Sequence, residues 1–91
     1  MKETETDIKN QVKDFLAVRS IFNYPIRQGL GSYVGLPDRI MHFQGRVHYL
    51  EIKTLKGKLS ESQVAFKMQC EEDGIPYRVI RDIQDLIEVV G

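Results

Sequence analysis

Gly35-Leu36-Pro37-Asp38-Arg39-Ile40-Met41-His42-Phe43-Gln44-Gly45-Arg46-Val47-His48-Tyr49-Leu50-Glu51-Ile52-Lys53-Thr54 is the stretch whose reading decides the architecture. Leu36 to Phe43 and Arg46 to Thr54 each read as a strand, and Gln44-Gly45 between them suits a two-residue hairpin turn, although Asn-Gly or Asp-Gly would signal one more strongly. If those two residues are the whole turn, Phe43 faces Arg46, and the numbers of every cross-strand pair sum to 89. Asp38 then lies directly opposite Glu51. Opposed residues share a face with Cβ atoms roughly 4.5–5.5 Å apart, so the two carboxylates repel unless a positive charge sits between them. Side chains alternate along a strand, which puts Lys53 on the same face as Glu51 and turns Arg39, Leu50 and Ile52 to the other.

Toward the N-terminus, Ile8, Val12, Phe15 and Leu16 recur at helical spacing behind Thr4 or Thr6, either of which suits a cap, so a helix is expected over roughly 5–19. Phe22, Tyr24 and Ile26 alternate as in a strand, and Gln28 to Gly35 reads as a glycine-rich loop. Toward the C-terminus, Ser60-Glu61-Ser62-Gln63 matches a capping box opening a helix that runs to about Asp73, where Gly74 ends it and Pro76 prevents continuation. Tyr77 to Arg81 reads as a strand, and Asp82 caps a last helix ending near Val90. The expected order is α-β-β-β-α-β-α. Because strand, helix and strand in succession imply a right-handed crossover, the fold class is α/β with α+β mixing: a mixed sheet flanked by helices.

The 91 residues suffice for one domain, 1–91, and no second core is expected. No apolar run approaches the ~20 residues that span a bilayer, and the acidic start is unlike a signal peptide, so a cytosolic protein without membrane association is expected. The single cysteine, Cys70, is read as a buried helical residue in a reducing compartment. Net charge is zero, which at first argues against a nucleic-acid partner. Residues 19–58, however, hold Arg19, Arg27, Arg39, Arg46, Lys53, Lys56 and Lys58 against only Asp38 and Glu51, a local charge of +5. The flanks carry −5 in compensation, so the molecule is expected to present one face that attracts phosphate.

Two hard carboxylates with no thiol or paired imidazole nearby suit Mg²⁺ or Mn²⁺, which accept few protein ligands and keep several waters. The carbonyl of Ile52 is a further candidate ligand. Such an ion polarises a scissile phosphate and lowers the pKa of water, while Lys53 orients that water or stabilises developing charge. A Glu-x-Lys triplet alone arises by chance in about one chain in three of this length. What gives it weight is the joint pattern of Pro-Asp opening one strand, Glu-x-Lys on the next, and a register that brings them together.

Gly35-Leu36-Pro37-Asp38-Arg39-Ile40, Tyr49-Leu50-Glu51-Ile52-Lys53-Thr54, and Lys56-Gly57-Lys58-Leu59-Ser60 with Gln63 resemble the successive blocks of VRR-NUC domains of the PD-(D/E)xK nuclease superfamily, over nearly the whole chain. The pattern is that of the small stand-alone, phage-type members. The resemblance implies a restriction-endonuclease-like PD-(D/E)xK core, divalent-metal phosphodiester cleavage, Asp38 and Glu51 as metal ligands and Lys53 as the catalytic lysine. It also implies a helical glutamate at the site, for which Glu5 matches best and Glu3 is the fallback; an acidic residue near a helix N-terminus is also favoured by the helix dipole alone. Gln63 occupies the third position of the capping box and also shares a helical face with Leu59, Phe66 and Cys70, so it serves the cap or the active site. Arg27, Arg39, Lys56 and Lys58 are the candidate phosphate contacts, and the glycine-rich loop would let a DNA backbone approach. His42 and His48 fall on opposite faces and are read as non-ligands, with His42 at the edge of the site.

The expected function is therefore a structure-selective DNA endonuclease that cleaves a branched substrate such as a four-way junction by metal-activated water, in the cytosol of a bacterium or a phage-infected host. A four-way junction needs two symmetric cuts and the chain has one site, so a C2 homodimer is expected with it. No organic cofactor is implied. The alternatives are a general flap, duplex or nicking nuclease on the same residues, and a non-catalytic DNA-binding module that uses the basic face alone.

Overall fold

The computed structural model describes residues 2–91, in the order α1 (Glu5–Val18), β1 (Asn23–Pro25), β2 (Arg39–Phe43), β3 (Arg46–Ile52), α2 (Glu61–Asp73), β4 (Tyr77–Ile80) and α3 (Ile83–Val90). Each helix starts where a short polar side chain takes a backbone N–H. Thr4 and Ser60 form reciprocal capping boxes with Asp7 and Gln63, and the Asp82 carboxylate accepts from the Asp85 N–H. Gly74 ends α2 with φ 71°, the left-handed conformation that glycine adopts without a Cβ clash.

The strands form one sheet in the order β1-β2-β3-β4, with β1–β2 and β2–β3 antiparallel and β3–β4 parallel across α2. The hairpin turn is Gln44-Gly45, both at positive φ (52° and 76°), and the register runs from Phe43↔Arg46 to Arg39↔Leu50 as expected. Strand bounds differ from the sequence reading at two places that bear on the site. β2 begins at Arg39 rather than Leu36, because Pro37 has no N–H to give a ladder. β3 ends at Ile52, although the Lys53 N–H still bonds to the Ile80 carbonyl at 3.1 Å.

One face of the sheet carries the core. Ile8, Val12 and Leu16, one stripe of α1, bury against Met41, Leu50, Ile52 and Ile80, with Leu86 of α3 closing the cluster. The other face is covered by α2 only over β3 and β4, where the Phe66 ring sits edge-on to Tyr49 (5.0 Å between centroids) and 6.1 Å from Tyr77. Gly35 is where the loop before β2 meets α2. Its φ is +94°, and a Cβ there would lie 2.5 Å from the Ser62 carbonyl oxygen, so at this glycine the close approach is made by the protein's own backbone.

Candidate functional site

Asp38 precedes β2 by one residue, and its surroundings depart from a simple ladder pair. Its N–H donates to the Leu50 carbonyl (3.0 Å), and its carboxylate Oδ2, in place of a strand carbonyl, accepts the Ile52 N–H at 2.7 Å. The expected backbone pairing of Asp38 with Glu51 therefore stops one residue short, while the side chains still meet. Anchoring through Oδ2 holds the carboxylate at the end of β3, with Oδ1 turned toward α1.

Glu51 is only 2% exposed. Its nearest donors stand at the edge of hydrogen-bond range: Gln63 Nε2 is 3.4 Å from Oε2 and the Tyr77 hydroxyl 3.5 Å from Oε1. Burial first, and then the adjacent Asp38 carboxyl, push the Glu51 carboxyl up to about 8 from its ordinary 4.5; Lys53 opposes the shift and Glu5 adds weakly to it. Burial first, and then the neighbouring Glu51, also push the Tyr77 phenol upward, which keeps it a neutral donor. Gln63 completes the cap, its Oε1 accepting from the Ser60 N–H at 2.8 Å, and its Nε2 faces Glu51.

Glu5 bears on Glu51 through its charge. It pairs with Lys9 at 3.4 Å, one turn further along α1, and Lys9 Nζ lies 3.4 Å from Asp38 Oδ1 as well. Burial works against the Lys9 charge, but Asp38 and then Glu5 outweigh it and hold the ammonium above its ordinary value. Glu3 accepts from Gln11 and lines a separate groove with Lys56 and Arg81, so Glu5 is the glutamate on the site's side. Lys9 and Tyr77 were missed in the sequence. The i,i+4 spacing of Glu5 and Lys9 was legible, but the crossing of α1 over the start of β2 was not; likewise Tyr77 comes near Glu51 only through the parallel register Tyr49↔Tyr77.

The expected cationic contacts scatter. Arg39 points to the face away from Glu51, where its guanidinium donates to Asn23 Oδ1; it lines, with Lys9, Arg27 and Asp38, a cavity of about 260 Å³. Lys56 and Lys58 are exposed on the loop after β3. That loop is pinned by Arg81, whose Nη1 donates to the carbonyls of Thr54 (2.8 Å), Leu55 (3.3 Å) and Gly57 (2.6 Å). His48 is buried on the core face, where desolvation lowers its pKa, and His42 is exposed on the Glu51 face, so neither adds a ligand beside Asp38.

Among the described residues no three His, Cys, Asp or Glu side chains converge to hold an ion by themselves. The donor set is two carboxylates plus the Ile52 carbonyl, which fits Mg²⁺ or Mn²⁺, ions that use one or two carboxylates and keep their waters. A buried carboxyl raised by its neighbour, with only long hydrogen bonds, is an arrangement that a divalent cation would relieve. No helix of the described residues is long and apolar enough to cross a membrane.

No family model matches the chain, and no curated protein matches it. Among solved structures, one described as a VRR_NUC domain superposes with a TM-score of 0.80 at 15% identity, covering 93% of this chain and 91% of that chain. The chain thus has the fold of a VRR-NUC domain, as the sequence blocks led us to expect. The likeness covers nearly the whole of both chains, so it is one of the overall fold.

Proposed function

We propose that this domain is a divalent-metal-dependent DNA endonuclease, selective for branched DNA such as a four-way junction and acting as a homodimer. The observation that carries the reading is the meeting of Asp38 with a Glu51 carboxyl that is almost wholly buried yet poorly satisfied, beside Lys53, on a VRR-NUC fold. Burying the Glu51 carboxyl beside a second carboxyl, with only long hydrogen bonds to satisfy it, costs stability, so the pair is better explained by chemistry than by folding.

Asp38, Glu51 and the Ile52 carbonyl would hold the ion. When bound, it would supply positive charge against the scissile phosphate. Asp38 keeps its orientation through the Ile52 N–H, and Gln63 and Tyr77 aim donors at Glu51, which limits the rotation of both carboxylates. Lys53 offers its ammonium to a phosphate oxygen or to the attacking water. The exposed Lys56 and Lys58, on the loop pinned by Arg81, add charge for the DNA backbone. Homodimerisation follows from the substrate, since two symmetric cuts need two copies of a single site.

The test is cleavage of labelled four-way junction, flap and linear duplex DNA in Mg²⁺, Mn²⁺ or EDTA, by wild type and Lys53→Ala. Paired symmetric cuts in the junction, abolished by EDTA and by the substitution, are expected. Equal cutting of all three substrates would replace the junction reading with a general nuclease. Absence of any metal-dependent cutting would leave a DNA-binding module.

A further inference from the structure

We propose that Phe22, Tyr24 and His42 form a stacking platform for unpaired nucleobases, beside the candidate catalytic residues and on the same face of the sheet. The inference rests on the reading of the domain as a branched-DNA nuclease and gives its selectivity a structural source. The register places the three rings. Tyr24 is opposite Ile40 and Ile40 opposite Tyr49; His42 is opposite Val47; and the His42 N–H bonds to the Phe22 carbonyl at 2.9 Å, continuing the pairing of β1 with β2. Opposed residues share a face and residues two apart share it too, so Phe22, Tyr24 and His42 lie on the face that carries Glu51.

The rings touch one another edge to face, with centroids 4.9 Å apart for Phe22–His42, 5.8 Å for Phe22–Tyr24 and 6.4 Å for Tyr24–His42. They are nevertheless open to solvent: Phe22 is 63% exposed and Tyr24 41%. Edge-to-face contact uses one ring's edge and the other's face, so a trio arranged this way keeps open ring faces for a further π system. α2 reaches only the β3–β4 side of this face, which leaves the β1–β2 side uncovered.

Position and charge single out a nucleic acid as the occupant. At about 3.3 Å per residue, the Ile40 and His42 rows lie about 7 and 13 Å along β2 from Asp38, that is about two to four base steps of 3.4 Å. Lys53 alternates onto this same face two residues beyond Glu51, and Lys56 and Lys58 stand exposed on the loop that follows it, which supplies positive charge for a backbone running from the rings to the site. A second copy of the chain seated on the rings would cover the face that has to admit the scissile strand. Stacking on aromatic rings is tolerant of sequence and requires an unstacked base, which a branch point offers and a continuous duplex does not.

The experiment measures affinity in EDTA by fluorescence anisotropy for a fork bearing unpaired nucleotides and for a matched continuous duplex, with wild type, Phe22→Ala, Phe22→Leu and Phe22→Trp. The fork-to-duplex affinity ratio is expected to fall about 5- to 150-fold in Phe22→Ala and Phe22→Leu, the equivalent of about 1–3 kcal/mol for one stacked base, and to return in Phe22→Trp. Leucine keeps the apolar bulk and removes the ring, so a ratio preserved in Phe22→Leu overturns the proposal. Sedimentation that shows a wild-type dimer dissociated by Phe22→Ala, with the ratio unmoved, also overturns it, in favour of a self-association face. Because binding is read without cutting, failure of the platform and failure of the nuclease reading are separate results. A lost ratio in an enzyme inert in Mg²⁺ would support the platform and sink only the nuclease.

Discussion

Replacement of Glu51 by Gln exposes the electrostatic cost built into this site. The carboxyl is 2% exposed and pushed up to about 8 from an ordinary 4.5, by burial first and by Asp38 second. A carboxyl raised on folding stabilises the protein fully below its unfolded pKa, and that contribution is lost as pH rises through the folded value. Between these limits the unfolded chain binds fewer protons than the folded one, so stability falls with pH. At pH 7 the folded chain keeps a proton that the unfolded chain has released over about 2.5 pH units, a penalty of the order of 3 kcal/mol at about 1.4 kcal/mol per unit. An amide of the same shape does not titrate. In EDTA, Glu51→Gln is therefore expected to be more stable than wild type by up to about 3 kcal/mol at pH 7 and no more stable at pH 4.5. Urea denaturation at pH 4.5, 7 and 8.5 reads the difference. Millimolar Mg²⁺ should recover stability in wild type alone, since an ion that binds only the folded state stabilises it by mass action. Parallel pH profiles for the two proteins would refute the reasoning, because they would mean that Glu51 is solvated or already paired.

Three further substitutions probe the frame around the site. Lys9→Met removes the ammonium that lies 3.4 Å from Asp38 Oδ1, and, with that competitor gone, calorimetry should show tighter Mg²⁺ binding; weaker binding would mean that Lys9 positions Asp38 for the ion. Gly35→Ala is expected to lower stability by at least about 1–3 kcal/mol, the cost of strained backbone at a crowded position, since the new methyl carbon would sit 2.5 Å from the Ser62 carbonyl; an unchanged melting temperature would show that the loop shifts freely. Arg81→Met leaves the Thr54, Leu55 and Gly57 carbonyls without their donor, so limited proteolysis should cut the 54–58 loop faster than in wild type, while equal rates would show that the loop needs no pin.

Local signals in the chain were enough for the elements and much of the site. Thr4, Ser60 and Asp82 mark helix starts and Gly74 a helix end through backbone chemistry that acts over three or four residues. The hairpin register was legible because a two-residue turn, once located, dictates every pair behind it, and this carried Asp38 toward Glu51. What sequence could not state was how far that ladder runs. Its last pair is Arg39↔Leu50, and the Asp38 carboxylate takes over the Ile52 N–H beyond it. The sequence also left open whether Gln63 capped α2 or faced the site. In the tertiary structure Oε1 closes the cap while Nε2 faces Glu51, because the first turn of α2 lies close to that carboxyl.

The sequence by itself thus determined the order of elements, the pairing of β2 with β3, and the convergence of Asp38, Glu51 and Lys53, all of which follow from alternation and turn length along a continuous segment. Only the tertiary structure decided that Lys9 stands against Asp38, that Tyr77 reaches toward Glu51, that Arg81 pins the loop after β3 and that the rings of β1 and β2 stay uncovered. Those contacts join residues on different elements. Their distances depend on how α1 crosses the sheet and how β4 registers beside β3, which side-chain packing sets and no periodicity along the chain encodes.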